Sequence, residues 1–243
     1  MSVYLSLIVP CYKEAERIGP SLKKIFEYLN KATYQSEVLI IDDGSPDTTF
    51  EVITASISSF PSSTTVVFKP IKLPNNQGKG GAVKTGMLEA VGEVRIFTDA
   101  DLSTPIYEVE KVLRAIEQGE AEIVIGSRAI DKSALVKKHQ PWYREAMGRF
   151  FNLLVQVLVI KGIKDTQCGF KGFTAKAATR IFEAQKVLGF SFDVELLYLA
   201  RRFGFKTKEI AVEWYNDERT TVGALTDSSR MFFELMRIKR LHQ

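Results

Sequence analysis

Cysteine and histidine are scarce in this 243-residue chain: there are two of each, Cys11, Cys168, His139 and His242, and none of them cluster at metal-ligand spacing. A zinc or iron–sulfur site and a disulfide-stapled scaffold are thereby excluded, and the usage suits a reducing cytoplasm. Missing too is any apolar run of roughly 18 residues, the length that spans a bilayer as a helix. The first residues, MSVYLSLIVPCYKE, lack the basic start, apolar stretch and small-residue cleavage site of a secretory leader and read as a strand. Neither sign of charge dominates, with 33 Lys and Arg against 29 Asp and Glu, and 45% of residues are hydrophobic. That is the balance of a soluble globular chain, not a disordered one.

What excess charge exists is local. Residues 128–149 hold Arg128, Lys132, Lys137, Lys138, Arg144 and Arg149 against Asp131 and Glu145, as much net positive charge as the whole chain carries. Such a segment suits phosphate groups or anionic headgroups, and a solvated face is the plain alternative.

Hydrophobic periodicity predicts strands at residues 4–10 (YLSLIVP), 38–41, 66–68, 94–98 and 123–125. Helices are predicted between them: behind Pro20 through Leu22, Ile25, Phe26 and Leu29; through Val52, Ile53 and Ile57; from the loop LPNNQGKGG to near Gly92; and over residues 109–116. Regular alternation of strand and helix predicts an α/β fold, a mainly parallel sheet with helices on both faces, whose ligands bind at the carboxyl ends of the strands. Residues 149–160 (RFFNLLVQVLVI) are apolar nearly all round and admit three readings: a core helix, a helix facing a membrane or partner, and a buried strand. The last segment, SSRMFFELMRIKRLHQ, reads either as a terminal helix with cations at its negative dipole end or as a membrane contact.

Three predicted strands end in polar chemistry. The first delivers Pro10, Tyr12 and Glu14, the second Asp42 and Asp43, the fourth Asp99 and Asp101. A lone D-x-D is weak, but here it follows one strand of a parallel sheet while an Asp-Asp pair follows another. Two carboxylates one residue apart can share Mg²⁺, which normally adds substrate phosphate oxygens, and that suits a nucleoside diphosphate. The loop Asn75-Asn76-Gln77-Gly78-Lys79-Gly80-Gly81 is not a Walker motif, and no G-x-G-x-x-G follows the first strand.

The segments VPCYKE, IDDGS, NNQGKGGAVKTGM, FTDADLSTP, GSR, PWYREAMGRFFN, DTQCGFKGF and FDVELLYLARRFG occur in this order from about residue 4 to 240. In this the chain resembles inverting family 2 glycosyltransferases of the polyprenyl-phosphate (dolichyl-phosphate) sugar transferase group, most of all its dolichyl-phosphate β-glucosyltransferase-like members. The resemblance implies a GT-A fold, a single domain over 1–243 with a nucleotide-sugar half (1–127) and an acceptor half (128–243) ending in an amphipathic helix. It implies Mg²⁺ or Mn²⁺, a UDP- or GDP-sugar donor, a polyprenyl or dolichyl phosphate acceptor, and a peripheral place at the cytoplasmic membrane face. Pro10, Tyr12, Glu14 and Asp43 would hold the nucleoside, with Asp43 accepting from the base and Lys79 near the nucleotide. Asp99 and Asp101 would flank the metal, Arg128 and Arg144 would take the acceptor phosphate, and Asp165, Gln167 and Lys171 belong to the same family block.

Related enzymes often carry G-S-K after W-x-N-D, where this chain has Trp214-Tyr215-Asn216-Asp217 followed by Glu218-Arg219-Thr220-Thr221. Gly148 stands where some mannosyltransferase relatives have Ser. The absence of Q-x-x-R-W disfavours a processive synthase. UDP-glucose is the favoured donor, GDP-mannose a possible one, and a family 2 transferase with a non-lipid acceptor or a nucleotidyltransferase are the alternatives.

Overall fold

The computed structural model describes residues 2–130, 135–136, 162–215 and 237–243. The first half alternates as the periodicity predicts: β1 (Leu5–Cys11), α1 (Ile18–Leu29), β2 (Ser36–Asp42), α2 (Thr49–Ser58), β3 (Val66–Lys72), α3 (Lys79–Glu89), β4 (Val94–Phe97), α4 (Val109–Glu117) and β5 (Ile123–Ser127). Then come β6 (Leu135–Val136), β7 (Lys171–Thr174), α5 (Ala175–Ala184), α6 (Phe192–Arg202), β8 (Thr207–Ala211) and β9 (Trp214–Tyr215). Seven strands form one sheet in the order β3-β2-β1-β4-β7-β5-β8, and β6 pairs with β9 separately.

Strands β1 and β2 are buried along their whole length, so their apolar residues run continuously instead of alternating with polar ones. The two-residue period still divides them between two cores. Ile8, Leu39 and Ile41 join Phe97, Phe173 and the buried faces of α3, α5 and α6. Leu5, Leu7, Val9, Val38 and Ile40 join α1, α4 and Ile53 of α2 on the other face. β3 is an edge strand with three of its seven positions exposed, and that edge place is why it tolerates Pro70. Helix α1 starts before Pro20, because the first-turn N–H that proline lacks has no partner inside a helix.

The sequence pattern predicts neither β7 nor its direction. β7 lies antiparallel between β4 and β5, pairing Lys171 with both Phe97 and Ile125. Its start therefore lies at the edge where β4 and β5 end, and the block preceding it, from Asp165 to Phe170, enters there. Residues 149–160 lie outside the described residues. In the terminal segment residues 237–241 are helical, Ile238 is fully buried in the core beside α6, and Arg237, Lys239 and Arg240 are exposed. The described apolar position thus faces protein.

At the opposite edge Glu37, 1% exposed, accepts from Ser6 Oγ at 2.5 Å, Val91 N at 2.7 Å and Lys69 Nζ at 2.7 Å, while Ser6 Oγ accepts from Gly92 N. This network fastens the α3–β4 turn. Burial pushes the Glu37 carboxyl up, but the bonds from Lys69, Ser6 and Val91 outweigh it and hold the group below the usual glutamate range. Its stabilisation is complete above the unfolded-state carboxyl value and is lost as pH falls through the lower folded value. Glu37→Leu is expected to cost about 2–4 kcal/mol by orphaning the Val91 and Ser6 donors, and Glu37→Gln to flatten the acid limb of stability, both read from urea melts across pH 3–7.

Candidate active site

The loops after β1 and β2 are tied together. Lys13 N donates to Ser45 Oγ, Glu14 N to Thr49 Oγ1, both at 2.9 Å, and Asp43 N to Cys11 O. Pro10 is buried in β1, Tyr12 is 37% exposed, and buried Glu14 binds Arg17 through Nε at 2.6 Å and Nη2 at 2.5 Å. Both oxygens of Asp43 are engaged by the glycine loop, accepting from Gln77 N and Gly78 N at 2.8 Å each. Burial raises the Asp43 carboxyl; the two amides pull it down and the charge of Asp42 pushes it up again, leaving it above the ordinary value. Gly78, at φ 92°, turns the chain into α3 with its Cα against Leu188 O, where a side chain would not fit.

That turn starts α3 at Lys79, whose Nζ reaches Asp99 Oδ1 at 2.5 Å, half-buried. Asp99 rests on Gly169, whose imagined Cβ would come within 2.1 Å of Asp99 Oδ2. Only glycine at 169 leaves room for the carboxylate. Asp101 Oδ1 accepts from Ser103 N at 2.8 Å across Leu102, at φ 51°. Among the described residues Lys13 and Leu102 are the two non-glycine residues in the left-handed region, and they sit in the loops after β1 and β4. Such conformations cost about 1–3 kcal/mol each and persist where surrounding contacts enforce them.

Burial, and then the charge of Asp99, raise the Asp101 carboxyl. For Lys79, burial works to lower the pKa, but Asp99, Asp193 and Asp101 outweigh it and hold the ammonium above the ordinary value. Fully buried Lys171 donates to Asp193 Oδ1 and to Cys168 O, each at 2.6 Å. Burial raises Asp193 in spite of Lys171 and Lys79. Burial also pushes the Cys168 thiol up to about 11, so a thiolate nucleophile is not offered here.

On the far side of β7, Arg128 follows β5. Its Nε and Nη2 bind the two oxygens of Asp165 at 2.7 and 2.9 Å, its backbone N adds a third bond at 3.0 Å, and its guanidinium lies 5.5 Å from the Trp214 ring centre. Burial opposes the Arg128 charge, but Asp165 more than compensates; the same pairing overrides burial and holds Asp165 below the usual range. The side chain is thus oriented before any anion arrives, with donors left over. Gln167 is half-buried in the same block. Arg144, Gly148 and residues 216–219 lie outside the described residues.

Sequence reasoning missed Asp193, Glu195 and Gly169. Fully buried Glu195 accepts from Lys186 N and Val187 N and meets His242 Nε2 at 2.6 Å, so it holds the 186–191 loop that backs Gly78 and Gly81. Asp193 and Glu195 carry a legible signal, two acids within an otherwise apolar helical stretch; Gly169 carries none.

Asp99 and Asp101 could hold a divalent cation. Among the described residues no three His, Cys, Asp or Glu converge, so the chain offers a carboxylate pair of the kind that Mg²⁺ or Mn²⁺ completes with phosphate oxygens and water. The residues fit such an ion.

Residues 6–182 match the profile of glycosyl transferase family 2. The chain belongs to that family. Among this glycosyltransferase's relatives, the dolichyl-phosphate beta-glucosyltransferase of Dictyostelium discoideum is 37% identical over 98% of this chain and 74% of the relative. The Homo sapiens protein of that name is 37% identical over 86% of this chain and 67% of its own, and the Saccharomyces cerevisiae one 34% identical over 98% and 74%. Glucosyl-3-phosphoglycerate synthase from Mycobacterium tuberculosis, solved with Mn²⁺, UDP-glucose and phosphoglyceric acid, superposes with a TM-score of 0.70 at 16% identity, over 98% of this chain and 80% of that one. The glycosyltransferase thus has the expected GT-A fold, with β7 as its antiparallel member.

The raised Asp101 value gives a signed expectation for this glycosyltransferase. Its ionised form is disfavoured in the fold, so a penalty develops as pH rises through the unfolded-state value and is complete above the folded one. Asp101→Asn keeps the bond from Ser103 N and is expected to raise stability at pH 7.5 by about 0.5–2 kcal/mol while abolishing activity. The gain vanishes below about pH 3.5; thermal melts at the two pH values check it.

Proposed function

We propose that this glycosyltransferase moves one glucose, with inversion, from UDP-glucose to a polyprenyl or dolichyl phosphate in the presence of Mg²⁺ or Mn²⁺. The observation that carries the reading is the pair of charged clusters flanking β7: Lys79 with Asp99 and Asp101 after β4, and the Asp165-held Arg128 after β5. A donor diphosphate at the first and an acceptor phosphate at the second would bracket one sugar. The names of the dolichyl-phosphate beta-glucosyltransferase relatives support glucose and this acceptor.

In this reading Pro10, Tyr12, Glu14 and Asp43 hold the nucleoside, Asp43 also fixing the glycine loop that presents Lys79. Arg128 and Arg144 take the acceptor phosphate, and residues 1–127 and 128–243 divide donor from acceptor. A phosphate monoester has a second pKa near about 6 and is already an anionic nucleophile at neutral pH, so no strong general base is required. Its oxygen attacks the anomeric carbon, the new C–O bond forms on the opposite face, and the bond to the nucleoside diphosphate breaks. A divalent ion on Asp99 and Asp101 would supply charge for the leaving diphosphate. The chain's own part is to align two mutually repelling phosphates: Lys79 screens the donor side, Arg128 the acceptor side, and Gly169 and Ser103 hold the carboxylates in place. Among the described residues no helix is long and apolar enough to cross a membrane. The reading places the protein peripherally at the cytoplasmic face, where its lipid acceptor is embedded.

Purified protein with Mn²⁺ or Mg²⁺, given UDP-glucose or GDP-mannose with and without polyprenyl phosphate, is expected to release UDP and form lipid-linked glucose only when lipid phosphate is present. Turnover with GDP-mannose alone overturns the donor, and turnover without the lipid overturns the acceptor. Arg144→Ala is expected to lower kcat/KM for lipid phosphate by about 10²-fold or more while leaving UDP affinity within about threefold; equal losses in both would remove Arg144 from the acceptor site.

A further inference from the structure

We infer that Lys79 is a resident cation on Asp99, standing in at the Asp99/Asp101 pair for a divalent ion until a nucleoside diphosphate draws it away, so that metal and nucleotide bind as a coupled pair. This rests on the reading that the site takes a nucleoside diphosphate.

The argument begins with how little of Asp99 is free. One side of its carboxylate is pressed on Gly169, whose imagined Cβ would lie 2.1 Å from Oδ2 and 2.6 Å from Oδ1. The Lys79 ammonium lies 2.5 Å from Oδ1. The other acid near Lys79, Asp193, is already bound by Lys171 at 2.6 Å. Asp101 has one oxygen committed to Ser103 N. Metal arriving alone therefore meets two carboxylates, one of them already neutralised, and is repelled by the ammonium beside it. A hard dication that normally collects several oxygens, phosphate among them, finds too few.

A nucleoside diphosphate reverses each of these terms at once. Its phosphate oxygens are ligands for the metal, and they are also acceptors for the three ammonium protons of Lys79. The lysine can answer, because its backbone is fixed at the first position of α3 while its four-carbon stem is flexible and its head is half-buried. The surrounding acids keep the ammonium charged, so the exchange is cation for cation and consumes no proton.

The test measures Mn²⁺ binding by the paramagnetic resonance of the free ion, with and without UDP, for wild type, Lys79→Met, Lys79→Arg and Lys84→Met. Lys84 is on the same helix but is bonded to Gln185 O at 2.7 Å, so its neutralisation controls for the loss of one charge. Expected for wild type is weak Mn²⁺ binding alone, tightened by UDP within the about 5–150-fold range of ordinary site coupling. Lys79→Met is expected to bind Mn²⁺ alone about tenfold more tightly and to lose at least that factor of the UDP coupling. Lys79→Arg keeps the weak binding of wild type, and Lys84→Met stays within about twofold of it. Unchanged or weaker Mn²⁺ binding in Lys79→Met, or an equal gain in Lys84→Met, overturns the inference. If UDP tightens Mn²⁺ equally in wild type and Lys79→Met, the inference fails and the nucleotide reading stands. If UDP affects no variant, the nucleotide reading fails, and the comparison without UDP still decides whether Lys79 competes with the metal.

Discussion

Carboxylates gathered at one edge of a buried sheet repel one another and resist leaving water, and nearly every local feature of this site answers that cost. Asp43 is fastened by two loop amides, Asp165 by the Arg128 fork, Asp193 by Lys171 and Asp99 by Lys79. Asp101 has a backbone amide but no ion-pair partner of its own among the described residues, and burial and Asp99 raise its pKa. Like Asp43, Asp101 is thus held by hydrogen bonds without an ion pair, and it is one of the two acids that flank the expected cation, where residual repulsion favours binding an ion over folding alone.

The compensation is possible because β7 runs against the sheet. Its antiparallel insertion delivers Gly169, Cys168 and Lys171 to the edge where β4 and β5 end, from a segment about 70 residues beyond Asp99 in sequence. A parallel strand at that position would have sent the same residues to the opposite edge, leaving Asp193 without Lys171 and Asp99 without its glycine support. One strand direction therefore decides whether five acidic side chains can share a face.

The first half of the molecule was legible because its physics is local. Strand-to-helix alternation located β1 to β5 and α1 to α4, and the acidic strand ends marked the edge where the site lies. The second half resisted for a physical reason. β7 is four residues long with a glycine inside it, its identity set by partners on both sides and not by its own pattern. Arg128 and Asp165 are 37 positions apart, with nothing in their spacing to announce a bidentate pair. Asp43 was legible as a site residue, but its hold on the Gln77 and Gly78 amides is tertiary. The GT-A architecture was legible through the ordered motifs; which side chains neutralise which was not.

The central sheet also acts as a ruler. β4 and β5 are each one strand step from β7, and strands in a sheet lie about 4.8 Å apart, so the ends that launch Asp99 and Arg128 are held on the order of 10 Å from one another by backbone hydrogen bonds. The gap between the two charged stations is thereby a property of strand pairing and not of a hinge. Adapting such a frame to a bulkier or smaller acceptor falls to the segments around the edge, because widening the gap itself would require breaking the sheet.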